Sequence, residues 1–128
     1  MASYGDVAVR AVMLIRQGVE RSPSTAWGTA VAEFFPSSKS SREKSCPRGA
    51  FLGLCESGRV QGVSAGTYTR SKKNKEYALL AVDLLNRNPD LVGDVKLLWN
   101  AVLAGATKEP NHQMTVVAAL WEKKLVLP

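Results

Sequence analysis

The stretch SKKNKEYALLAVDLLNRNP, Ser71 to Pro89, decides the fold class. Tyr77, Ala81, Leu84 and Leu85 recur at three- and four-residue intervals, which puts them on one face of a helix, and Asn88-Pro89 stops it because the residue before proline is pushed out of helical backbone. The polar positions between them leave the other face to water. A chain carrying a segment of this kind, with no long alternating segment to form a strand, reads as all-α.

Working outward, the flanking segments repeat the pattern. Downstream, a helix bearing Leu98, Trp99 and Val102 runs to Gly105, and a last one, capped by Asn111, carries Val117, Leu120 and Trp121. Upstream, Arg59 to Thr69 holds Gly62 and Gly66 between short β-branched pieces and reads as a small hairpin or a loop. Before it, Ser45 or Cys46 with Pro47 starts a helix through Phe51, Leu52, Leu54 and Cys55 that closes at Gly58. Residues 37–45, SSKSSREKS, have no apolar member and read as a solvated loop. Ser22-Pro23 is an N-cap and first-turn pair for a helix whose stripe is Trp27, Val31 and Phe34 and which ends at Pro36. The first helix runs from Asp6 to about Gly18 through Val7, Ala8, Ala11, Val12 and Ile15. The expectation is a single compact bundle of about six helices, one domain over residues 1–128.

The halves resemble each other. Ala8, Ala11-Val12, Leu14 and Ile15 match Ala78, Ala81-Val82, Leu84 and Leu85 at an offset of 70, while Ser22-Pro23 matches Asn88-Pro89, and Leu54, Glu56 and Val60 match Leu120, Glu122 and Val126, at 66. Either a duplicated three-helix unit, spanning 4–62 and 74–128, or chance similarity among helix-forming residues accounts for this.

Charge is distributed unevenly. Between Lys39 and Lys75 nine cations (Lys39, Arg42, Lys44, Arg48, Arg59, Arg70, Lys72, Lys73, Lys75) stand against Glu43 and Glu56, so the segment carries +7 of a chain whose net charge is +6. A concentrated cationic surface attracts polyanions in a way that a scattered excess does not. Arg48 falls in the first turn after Pro47, and Lys72, Lys73 and Lys75 crowd the start of another helix, where a cation is unfavourable by about 0.3–1 kcal/mol. A bound phosphate would resolve both conflicts by meeting free backbone N–H groups and side-chain cations together. The alternative is that these side chains simply splay into solvent. The candidate anion-binding residues are Lys44, Arg48, Arg59, Arg70, Lys72, Lys73 and Lys75, with Tyr68 either stacking on an unpaired base or packed as an ordinary ring.

Other chemistry finds little support. Asp83, Asp90, Asp94 and Glu122 are spread over polar faces, the single histidine, His112, is distant from both cysteines, and no pair has metal-ligand spacing. Neither a catalytic site nor a metal or cofactor is therefore expected. Cys46, beside Lys44 and Arg48, has surroundings that lower a thiol's pKa but lacks a partner, and a helix over 47–57 would hold Cys46 and Cys55 about 13 Å apart, beyond disulfide reach. Trp27, Trp99 and Trp121 lie on apolar stripes and are expected in the core. No run approaches the roughly 18 apolar residues of a membrane span, and the first ten residues lack a cationic leader, so a cytoplasmic location is expected.

The phrase CPRGAFLGLC (Cys46–Cys55), with GTYTRSKKNKEYALL (Gly66–Leu80) and LWNAV (Leu98–Val102), resembles a family of small uncharacterised bacterial proteins. The resemblance implies no activity and no functional residues. The expected function is that of a non-enzymatic binding module whose basic surface over 39–75 meets an anionic partner, nucleic acid or an acidic protein. The alternative is a helical protein–protein interaction module or homodimer that binds no nucleic acid.

Overall fold

The computed structural model describes residues 3–128. It is an all-α bundle. Helix α1 (Tyr4–Arg16) opens on a reciprocal cap, in which Asp6 N–H donates to Ser3 Oγ and Ser3 N–H donates to Asp6 Oδ2. Gly18, in left-handed backbone, turns the chain beyond its end. Helix α2 (Pro23–Phe34) begins as its sequence dictates, with Thr25 N–H donating 3.2 Å to Ser22 Oγ.

The next segment departs from expectation. Within 37–45 the chain forms a helical turn, α3 (Lys39–Arg42), because Ser38 Oγ caps it and the Arg42 guanidinium donates to the Phe35 and Pro36 carbonyls at 2.9 and 2.8 Å. Those carbonyls follow the end of α2, where a cation is favoured. None of its residues is buried, so the turn adds nothing to the core.

Helix α4 (Ser45–Glu56) starts behind Lys44, and α5 (Lys72–Arg87) behind Ser71; neither start has a side-chain cap. A 3₁₀ turn (Pro89–Gly93) leads into α6 (Val95–Leu103). Two boundaries differ from the sequence reading. The C-cap of α6 is Ala104, one position before Gly105, with both residues in left-handed backbone, and the N-cap of α7 (Gln113–Glu122) is His112, in left-handed backbone, rather than Asn111.

The core is continuous through all the long helices. Val7, Ala11 and Val12 of α1, Trp27 and Val31 of α2, Phe51, Leu52 and Leu54 of α4, Val82 and Leu85 of α5, Leu98 of α6 and Val117 and Leu120 of α7 are all buried. Trp27 and Trp99 are in it, whereas Trp121 is only partly covered. The most extensive packing joins α4 to α5, α1 to α2 and α1 to α7. Glycine makes the first of these contacts close. A Cβ at Gly53 would lie 2.6 Å from Lys75 Cα, and one at Gly49 would lie 3.1 Å from the Ser71 and Asn74 Cβ atoms.

Arg59 to Thr69 does not fold back on itself as a hairpin. Instead Val60 pairs with Val126 in one antiparallel bridge, flanked by Gln61 N–H donating to the Leu125 carbonyl and Leu127 N–H donating to the Arg59 carbonyl, both at 2.8 Å. The helices that feed this bridge end alike. After α4, the N–H groups of Ser57, Gly58 and Arg59 donate to the carbonyls of Gly53, Cys55 and Leu54; after α7, those of Lys123, Lys124 and Leu125 donate to Ala119, Trp121 and Leu120. Gly58 and Lys124 are the left-handed residues, with φ of 71° and 60°.

Candidate anion-binding surface

Residues 61–71 leave the bridge and return along α4 to the start of α5. Glu56, on the last turn of α4, anchors them. Its Oε1 accepts from Tyr68 N–H at 2.8 Å and Thr69 N–H at 3.2 Å, and its Oε2 accepts from Lys75 Nζ at 2.6 Å. The Lys75 ammonium, and then the two backbone donors, hold the Glu56 carboxyl down at about 2. Tyr68 packs its ring against the core and donates its hydroxyl to the Ser64 carbonyl at 2.7 Å.

A buried polar chain fixes where α5 begins. Asn111 N–H donates to Gln113 Oε1, Gln113 Nε2 donates to Asn74 Oδ1, and Asn74 Nδ2 donates to Ser71 Oγ at 2.8 Å. Gln113 and Asn74 are both buried, so each amide must find partners inside the protein, and together they tie the start of α5 to the start of α7. Between Glu56 and this start lies a cleft of about 500 Å³ lined by Glu56, Gly66, Thr67, Thr69, Lys72 and Lys75.

The sequence candidates occupy different environments. Lys72 and Lys75 line the cleft together, with Arg70 two residues ahead of Lys72 and Lys73 beside it. Lys75 is committed to Glu56, while Arg70 and Lys72 are exposed and make no ion pair among the described residues. Lys73 lies 5.7 Å above the Tyr77 ring and 4.0 Å from Glu76, both contacts at the surface. Arg48 turns to α2 and donates to Ser24 Oγ at 2.7 Å. Arg59 is half-buried beside the bridge, its Nη1 enclosed without a partner among the described residues. Lys44 stands apart from the cleft, near His112, whose pKa is lowered first by burial and then by the Lys44 charge. The His112 ring also sits 4.8 Å from that of Tyr4.

Three contributors escaped the sequence reading. Glu56, Thr67 and Thr69 line the cleft and are absent from the sequence candidates. Only Gly49 and Gly53 carried a legible signal, since two glycines four apart on an apolar helix mark a close approach of another backbone.

The remaining reactive groups have plain environments. Burial pushes the Cys55 thiol pKa strongly upward, so it stays protonated, and Cys46 is a free, half-buried thiol. Among the described residues no group of three or more histidines, cysteines and carboxylates is placed to hold a metal, and no helix is long and apolar enough to cross a membrane.

Residues 1–127 match the model of the family of unknown function DUF6979, and the chain belongs to that family. No curated protein and no solved structure matches it.

Proposed function

We propose that this chain is a non-enzymatic, cytoplasmic binding module that holds a phosphate-bearing polymer, nucleic acid in the first place, on the ledge at the start of α5. The observation that carries this reading is the exposure of Arg70, Lys72 and Lys73 around a helix start with no capping side chain. In the first turn of α5 the Lys72 N–H donates to the Arg70 carbonyl at 3.0 Å, while those of Lys73 and Asn74 have no hydrogen-bond partner among the described residues, and a phosphate at this start would meet such donors together with the side-chain cations. Thr67 and Thr69 add hydroxyls along the same cleft. Contacts of this sort position a backbone without reading its sequence, so the binding is non-specific and salt-sensitive.

Fluorescence anisotropy with a labelled duplex over a salt series tests this. Three to five phosphate contacts give a slope of log affinity against log salt of roughly −3 to −4.5, and changing Arg70, Lys72 and Lys73 together to Gln should flatten it. Absence of binding at low salt would rule the reading out. In that case the helical interaction module becomes the better account, and α6 supports it by exposing Val95 (40%) and Leu97 (52%) to solvent.

A further inference from the structure

The bridge and the helix ends that feed it are related by a constant shift. Adding 66 to Ser57, Gly58, Arg59 and their three acceptors gives the donors and acceptors that close α7, and the two flanking bonds at Val60–Val126 exchange under the same shift. The close helix contacts obey it too. A Cβ at Gly53 meets Lys75 at 2.6 Å, and a Cβ at Gly5 meets the Ala119 Cβ at 2.6 Å; Ala119 is Gly53 plus 66, and Lys75 is Gly5 plus 70. These are the two offsets found in the sequence. Helix α4 therefore meets α5 as α7 meets α1.

In one of these pairs the helix end is covered by the chain's own extended segment, with Glu56 taking the N–H groups of Tyr68 and Thr69 and the Lys75 ammonium. In the other, Glu122 stands where Glu56 stands, exposed and without an ion pair among the described residues. It lines a groove of about 740 Å³ with the apolar residues Val9, Met13, Phe34 and Ala119 and the charged residues Asp6, Arg10 and Lys123. The position of Lys75 is held here by Gly5, and of the two cations that line the groove Arg10 is paired with Glu33 and Lys123 makes no ion pair among the described residues, so neither does for Glu122 what Lys75 does for Glu56.

We propose that the chain is a duplicated three-helix unit, 4–62 and 74–128, and that the α1–α7 groove binds an extended segment of a partner protein as α4 and α5 bind residues 66–70. Glu122 accepts backbone N–H groups of that segment, an apolar or aromatic side chain of the segment lies against Val9, Met13 and Phe34, and a Lys or Arg of the segment supplies the cation that Gly5 cannot. The basic ledge at the start of α5 lies elsewhere and plays no part in this contact.

The nonapeptide SAGTYTRSK, which repeats residues 64–72, is the probe. Titrated into the ¹⁵N-labelled full chain, it should shift the amide signals of Val9, Met13, Ala119 and Glu122. Glu122→Gln, an exposed change that leaves the fold intact, should weaken binding about tenfold, as should replacing the peptide's Arg and Lys by Gln, each removing one charge-assisted contact. Four outcomes would overturn the proposal: no shift at millimolar peptide, shifts confined to residues around Glu56, affinity indifferent to Glu122→Gln, or equal affinity for the uncharged peptide.

Discussion

Gly53 of α4 lies against the backbone of Lys75 in α5, so closely that a single added carbon would sit 2.6 Å from Lys75 Cα. The opposing atom belongs to the main chain and cannot rotate away. Gly53→Ala is therefore expected to destabilise the protein by about 1–3 kcal/mol, the cost of overpacking, despite alanine's better helix propensity of about 1 kcal/mol. Gly28, exposed in α2 with nothing near its Cβ direction, is the control, and Gly28→Ala should stabilise by about 0.5–1 kcal/mol. Urea melts of both variants check this, and a stabilising Gly53→Ala would contradict the packing described.

The Glu56 clasp makes a pH prediction. Its carboxyl titrates near 2 when folded against an ordinary 4.5, held down first by Lys75 and then by the Tyr68 and Thr69 N–H groups. A depressed carboxylate stabilises the fold fully above its unfolded pKa, and that contribution is lost as pH falls from about 4.5 to about 2. Comparing chemical denaturation of the parent and Glu56→Gln over this range should show the difference between them shrinking as pH drops. A gap independent of pH would mean the clasp is not formed in solution.

Trp27 stacks 5.3 Å from Phe51 with its Nε1 enclosed and without a protein acceptor among the described residues, whereas Trp99 Nε1 donates to the Lys108 carbonyl at 2.9 Å. Trp27→Ala should cost about 3–5 kcal/mol through lost burial and the cavity left behind. Trp27→Phe keeps an aromatic ring and removes the unpaired donor, so its cost should be no more than about 1–2 kcal/mol. Thermal melts separate these outcomes. Equal losses for both variants would show that the indole N–H is satisfied.

Lys124 holds the left-handed position at the end of α7 that Gly58 holds at the end of α4. A residue with a Cβ pays about 1–2 kcal/mol there, so Lys124→Gly should raise stability by about 1 kcal/mol once glycine's greater freedom in the unfolded chain is offset. Calorimetry on the exposed-site variant is sufficient. A fall in melting temperature would place the strain elsewhere.

What the sequence determined alone was local. The stripe of Tyr77, Ala81 and Leu85, the Ser22-Pro23 helix start and the burial of Trp27 and Trp99 all follow from spacings within a turn or two, where side-chain periodicity and capping act without the rest of the fold. Three features depended instead on residues far apart in the chain. Ser38 and Arg42 order a polar segment because the end of α2 presents carbonyls to them. Val60 finds Val126 rather than a hairpin partner. Among the cations, Lys75 is drawn into Glu56 and Arg48 onto Ser24, while Arg70 and Lys72 make no ion pair among the described residues. Composition fixes how many charges a chain carries, but which of them remain available is settled only when packing brings each one to an acceptor or leaves it in water, because a charge contact acts over a few ångströms of space rather than along the sequence.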